Sequence, residues 1–266
     1  MAPVADVPPW MLSGKNVLML GEGANEFNRD ASRLIKINNF PEDFENVTID
    51  RTAQVVDGRH LSVKETITLT GTTACEMRYL TARKSAKKDT SAALKAALGM
   101  DRNRFNVTLA QMENAAAVEK PLVIHLEYEI RNACITTGDR IVTHLPTHVE
   151  MRFLDPDVIG EKRTTPFEFE TRLKLVSRTK LYGPDAAALA PSSVEPQDKR
   201  FVAWKSSMTN VDGRAEVTLQ LTRKPGSFAA KDYTEFQKQL TDATQTVDEA
   251  ALIPNGPKRS GLTKQQ

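Results

Sequence analysis

Through much of the chain, apolar and polar residues alternate with a period of two, the pattern of strands that bury one face and wet the other. Residues 47–56 and 60–70 are rich in β-branched side chains, and Leu61, Val63, Ile67 and Leu69 define one apolar face that Glu65 interrupts. Asp57-Gly58 lies between the runs and supplies the positive φ of a tight turn, so the segment predicts a hairpin. A second hairpin is predicted from 201–209 and 214–222 around Asp212-Gly213. Further strands are expected at 17–20, 105–111, 122–131, 141–153 and 167–181. In the last of these, Phe167, Phe169, Thr171, Leu173 and Leu175 alternate with Glu168, Glu170, Arg172 and Lys174.

Helical spacing interrupts this pattern in a few places. Gly71 ends the first hairpin, and Thr73 with Glu76 has capping-box spacing, which predicts a helix through Met77 and Leu80. A second short helix is expected over 89–98, stopped by Gly99. After Gly226, Asp232 and Glu235 repeat the capping spacing, and Tyr233, Phe236, Leu240 and Val247 fall on or near one helical face. The stretch 183–196, rich in Ala, Pro and Ser, predicts a loop. The interval from Gly58 to Gly71 equals that from Gly213 to Gly226, and a helix follows each. Such a recurrence fits either an internal duplication or a common motif used twice.

These elements place the chain in the mainly β, α+β class, with antiparallel, β-sandwich-like sheets and a few short helices. The expected organisation is a lead-in over 1–37, where Pro3, Pro8 and Pro9 disfavour regular structure, and a β-rich subdomain over 38–136 with a helical insertion. A second β-rich subdomain follows over 137–252 with a C-terminal helix, then a disordered tail over 253–266.

Composition narrows the functional classes. Aromatic residues make up only 6% of the 266, so the cores must rest on Val, Leu, Ile and Phe. The formal net charge of +2 gives no long-range field for nucleic acid. The longest apolar run, 17–20, is far short of the roughly 20 residues that span a bilayer, so no membrane insertion is expected. Met1-Ala2-Pro3-Val4-Ala5-Asp6 lacks the basic start and apolar stretch of a signal peptide.

Cys75 and Cys134 could form one bridge or remain two buried thiols, and the second is favoured because free Cys packs as a small hydrophobe. Cys75 lies near a predicted helix start, but the adjacent Glu76 opposes a thiolate. His144 and His148 have a spacing of four, yet on a strand they lie too far apart to share a zinc ion, and His60 and His125 stand apart in sequence. Asp155 with Asp157, and Glu168 with Glu170, read as a turn and a solvated strand face rather than a general acid–base pair. Gly21-Glu22-Gly23 is half of a dinucleotide fingerprint without its third glycine. Arg83, Lys84, Lys87 and Lys88 lack interleaved aromatics and read as a solvated helix face. No catalytic, cofactor-binding or metal-ligating residue is therefore assigned, and no cofactor is expected.

A diffuse set of residues carries a family resemblance. It comprises Leu145-Pro146, Arg163-Thr164-Thr165-Pro166-Phe167, Leu181 with Tyr182-Gly183-Pro184, Leu219 and Arg223, and Tyr233 with Phe236. Earlier in the chain are Asp57-Gly58 and the Gly71-x-x-Ala74-x-x-x-Arg78 pattern, preceded by the lead-in over 10–21. Together they resemble the C-terminal β-rich region of bacterial multidomain transglutaminase-like proteins, over roughly residues 8–252. The resemblance implies an exported or cell-envelope setting, in the periplasm for instance. It implies a non-catalytic accessory module beside a transglutaminase-like, papain-like core. That core, with its catalytic Cys, His and Asp, has no counterpart in this sequence, so no catalytic residue carries over. The alternative is an independent module binding protein or glycan in the envelope. Exposed Trp204 and Phe201 would favour that alternative, whereas a cleft pairing Cys75 with His125 would favour an enzyme.

Overall fold

A computed structural model describes residues 16–20, 32–36, 44–84, 90–137, 140–154, 163–169, 171–183, 186, 192–248 and 252–254. Contacts divide the chain into two units, 1–44 and 45–266. In the first, β1 (Asn16–Leu20) pairs antiparallel with β2 (Ser32–Lys36), Asn16 facing Lys36 and Leu20 facing Ser32.

The second unit is built on one sheet. Its strands are β3 (Glu45–Val56), β4 (His60–Leu69), β5 (Phe105–Glu113), β6 (Leu122–Ile130), β10 (Leu173–Tyr182), β11 (Ser192–Asp198), β12 (Val202–Val211) and β13 (Arg214–Arg223). Their order across the sheet is β11-β12-β13-β10-β3-β4-β6-β5. All neighbours are antiparallel except β10 and β3, which run parallel at the centre. Both predicted hairpins are present. Asp57 and Gly58 have φ of 50° and 72°, and Asp212 and Gly213 have 49° and 80°, the left-handed conformation that twists a tight turn to match its strands. The edge strands β5 and β11 each carry a bulge, between Val107 and Leu109 and between Val194 and Gln197.

Odd-numbered positions of β3 and β4 and even-numbered positions of β6 point to one face and are buried. Val47, Ile49, Leu61, Ile67, Leu69, Leu122, Ile124 and Leu126 form its apolar body. Helices cover this face. Helix α1 (Gly71–Lys84) lies on β3, α2 (Thr90–Ala97) on β5, α3 (His148–Leu154) on β10 and α4 (Tyr233–Asp248) on β12 and β13. Two small sheets complete the unit: β7 (Cys134–Thr137), β8 (Arg140–Thr143) and β15 (Leu252–Pro254), and the pair β9 (Phe167–Phe169) and β14 (Gly226–Phe228). The class is thus mainly β, α+β. Strands of both expected subdomains share the eight-stranded sheet, so the boundary near 136 does not divide it.

Several expectations are corrected. The strand expected over 141–153 is β8 followed, after Pro146, by α3. The spacing Val149/Phe153 and Glu150/Leu154 is four, and those four residues are buried together. The strand expected over 167–181 is two strands, β9 pairing with β14 and β10 joining the large sheet. The end of the loop expected over 183–196 is strand β11, which accommodates Pro196 at its bulge on a sheet edge. Ile253 and Pro254, placed in a disordered tail, pair with Ile141 and Arg140. Thr73 does not cap α1, because its hydroxyl donates to the buried Glu45 carboxylate at 2.7 Å. The two hairpin–helix segments differ in circuit: α1 follows β4 directly, whereas β14 and a 3-10 turn (Ala230–Asp232) precede α4. The sheet neighbours of the hairpins differ as well, so the equal spacing is not a repeated topology. Pro3, Pro8, Pro9, the Gly21-Glu22-Gly23 segment and residues 255–266 lie outside the described residues.

Helix α4 is held by an aromatic cluster. Phe236 is fully buried, with ring centroids 5.1 Å from Phe169, 5.7 Å from Phe167 and 5.9 Å from Phe201. Gly226 sits beneath this cluster with φ of 153°, and a Cβ there would come within 2.8 Å of the Phe228 ring. Asp232 closes the 3-10 turn by accepting from the Ala229 N–H at 3.2 Å and from Arg200 at 3.0 Å, rather than capping α4. Glu235 instead accepts from Gln239 one turn on. Phe236→Ala is expected to lower the unfolding free energy by about 3–5 kcal/mol in urea titration. A loss below about 1 kcal/mol would show that α4 is not docked through this ring.

Candidate functional site

Within the second unit, the helices leave the other face of the large sheet uncovered. On β3 the outward residues are Asn46, Thr48, Asp50, Thr52, Gln54 and Val56, and on β4 they include Ser62, Lys64, Thr66 and Thr68. Outward residues sit level with one another because the register fixes them. One row reads Glu216, Lys180, Thr52, Lys64, Glu127 from β13 to β6. The next reads Thr218, Arg178, Asp50, Thr66, His125. Between them lies a depression of about 590 Å³.

Charge on this face is segregated. Strands β10, β13 and β12 point Lys174, Arg178, Lys180, Lys205 and Arg214 outward against Glu216, while the edge strand β11 adds Asp198 level with the outward Ala203. Strands β3, β4, β6 and β5 point Asp50, Glu113, Glu127 and Glu129 outward against Lys64. Local pairs dress both halves: Lys64–Glu127 at 2.9 Å, Arg178–Asp50 at 3.3 Å, Arg214–Glu216 at 2.7 Å and His125–Glu113 at 3.0 Å. All are solvated pairs worth little individually, so they leave the face free to exchange partners.

Directly under the central seam, on the covered face, lies a buried polar cluster. Arg51 on β3 donates to Glu65 on β4 at 2.7 Å and to both oxygens of Glu150 on α3 at 3.0 and 3.1 Å. Ser177 on β10 donates to Glu150 at 2.7 Å, and Tyr128 on β6 donates to Glu65 at 2.8 Å. Burial pushes Glu150 up, but the two-pronged grip of Arg51 and the Ser177 hydroxyl outweigh it and hold the carboxyl below its usual range. Glu65 has a single contact from Arg51 and also feels the charge of Glu150, so burial prevails and its carboxyl lies above the usual range. Arg51 is raised, because the two carboxylates overcome the opposing effect of burial. These groups are sealed beneath the sheet, with Arg51 and Glu65 side chains at most 1% exposed, and so stabilise geometry without touching a solute.

The sequence-level candidates do not converge. His125 lies on the uncovered face, whereas α1, which carries Cys75, packs through Ala74 and Met77 into the covered face, so the sheet separates the two. Both cysteines are free thiols, Cys75 half-buried and Cys134 buried. Burial pushes the Cys134 thiol up, the opposite of nucleophile activation. His144 follows β8 and is exposed, His60 contacts Asp57 at 3.1 Å beside the first turn, and His148 is the first residue of α3. The strand assumed between His144 and His148 is therefore absent, and the His148 ring stacks 4.5 Å from Phe105 instead. Glu168 is exposed on β9. Asp155, Asp157, Lys87, Lys88 and Glu170 lie outside the described residues, as do the side chains of Arg83 and Lys84. Trp204 and Phe201 point into the core, 7% and 0% exposed, so they form no aromatic platform. Sequence reasoning did not find the Arg51 cluster, although Glu65 on an apolar strand face was its signal.

Compared with models of known protein families and with curated proteins, the chain matches none.

Two tests follow from the buried cluster. Arg51→Ala strands two buried carboxylates and is expected to lower stability by about 3–5 kcal/mol in urea titration, and a loss below about 1 kcal/mol would contradict the cluster. His148 adds a pH dependence. Burial first, then Arg51 and Arg104, outweigh Glu150 and lower its imidazole pKa to about 4, and its Nε2 meets no hydrogen-bond partner among the described residues. Well above pH 6.5 the ring is neutral folded or unfolded and adds no pH dependence. As pH falls from about 6.5 to about 4 the unfolded chain takes up the proton first, so stability drops by up to about 3 kcal/mol. His148→Phe is expected to flatten that drop between about pH 6.5 and 5 in thermal melts, and parallel pH profiles of the two proteins would refute it.

Proposed function

We propose that the chain is a non-catalytic interaction module that uses the uncovered face of its eight-stranded sheet as its contact surface. The observation that supports this reading is the segregation of five outward cations on β10, β13 and β12 from four outward anions on β3, β6 and β5. Side chains borne on neighbouring strands keep fixed spacings, which suits recognition of a complementary charged surface. Among the described residues the face carries few rings, chiefly His125 and the partly exposed Tyr182, so a protein surface fits it better than a stacked sugar.

The accessory reading, a module set beside a transglutaminase-like core in the cell envelope, draws on the family resemblance. Phe167, Leu181, Leu219, Tyr233 and Phe236, which carry part of it, are all buried, so it concerns shared packing and leaves the contact surface to be read from this face.

Two experiments test the proposal. Amide and ester substrates are expected to show no turnover above background, and turnover that disappears in Cys75→Ala or Cys134→Ala would overturn the non-catalytic reading. In backbone NMR titrations, short poly-glutamate peptides are expected to shift Arg178, Lys180 and Lys205, and poly-lysine peptides to shift Glu127 and Glu129. Shifts scattered over the helical side, or none, would remove the face as the contact surface.

A further inference from the structure

We propose that the partner this face fits is a second copy of the chain, stacked face to face about a two-fold axis that runs along the strands between β10 and β3. This rests on the uncovered face being the contact surface. Rotation about that axis keeps each residue at its own level along the strands. It sets β10 over β3, β13 over β4, β12 over β6 and β11 over β5 of the second copy. The three cations of β10 then lie over β3 with Asp50, and β12 with Lys205 lies over β6 with Glu127 and Glu129.

The match extends to individual residues. Glu216, an anion in the cationic half, and Lys64, the cation in the anionic half, lie in the same row on β13 and β4. The two-fold therefore puts Glu216 of one copy over Lys64 of the other, twice. Arg178 and Asp50 share the next row on β10 and β3, so each faces the other's counterpart across the axis. A uniformly acidic partner would set like charge over Glu216, and a uniformly basic one would set it over Lys64.

Size and edges agree. Eight strands about 4.8 Å apart and about ten residues long give a footprint of roughly 1,200 Å² per copy, against about 800 Å² per partner in a standard interface. The depression at the centre of the face becomes a hydrated space, so the contact is wet, polar and salt-sensitive. Association through sheet edges is the competing route, and the bulges in β5 and β11 disfavour it.

Sedimentation of the full chain tests this. A dimer is expected at low salt, dissociating at about 0.5 M salt, where screening acts over only a few ångströms. Lys64→Glu sets anion over anion twice, and Glu216→Lys sets cation over cation twice. Each variant alone is expected to weaken dimerisation by at least about tenfold, while their equimolar mixture restores it as a heterodimer. Circular dichroism confirms folding of each variant, since only solvated pairs are altered. A monomer under all conditions overturns the proposal, as does a dimer indifferent to both substitutions. So does a mixture that fails to pair. The peptide titrations above remain informative if the dimer fails, because a face built for a different charged protein would still shift.

Discussion

The sheet depends on one guanidinium at its seam. Arg51 stands opposite Glu65 on β4 and opposite Thr179 on β10, and reaches up to Glu150 on α3. It thereby joins the two four-stranded halves where they run parallel, and fastens the helical layer to both. A buried ion cluster of this kind is weak evidence for net stability against an apolar substitute, but removing one member leaves charge stranded. Its contribution is selectivity: an inward arginine has a partner in only one register.

That selectivity reaches the opposite face. Side chains alternate across a strand, so a slip by one residue would carry Arg51 out to solvent and bring Asp50 or Thr52 into the core. Fixing Arg51 inward therefore fixes the rows outward, including the level at which Arg178 meets Asp50 and Glu216 meets Lys180. The arrangement of surface charge is in this sense set by a buried contact beneath it.

Local chemistry was legible in the sequence where the signal was local. The Asp-Gly turns gave both hairpins, and the spacing of Tyr233, Phe236 and Leu240 gave the docked helix. Helix α3 was obscured because Ile141, Val142 and Val149 suggest a strand, while the decisive four-residue spacing begins only after Pro146. Strands β7, β8, β14 and β15 are three or four residues long, too short to establish a period. The parallel pairing of β3 with β10 has no local signature, since either strand would fit an antiparallel neighbour equally well. The charged face escaped notice for the same reason: its rows exist only once distant strands are aligned. Glu65 was visible as a misfit on its strand, but its meaning required Arg51, Tyr128 and Glu150 from three other elements.

The central parallel seam also bears on how the chain is made. Arg51 and Thr179, neighbours across it, are 128 residues apart in sequence. At a ribosomal pace of about 5–20 residues per second, β3 waits roughly 6–25 s for β10 to be synthesised. During that interval the nascent β3–β4 hairpin carries a bare edge, and for most of it Arg51 has Glu65 as a partner but not yet Glu150. Vulnerability to mispairing is thus concentrated between the synthesis of β4 and that of β10, and a chaperone would have most to protect in that interval.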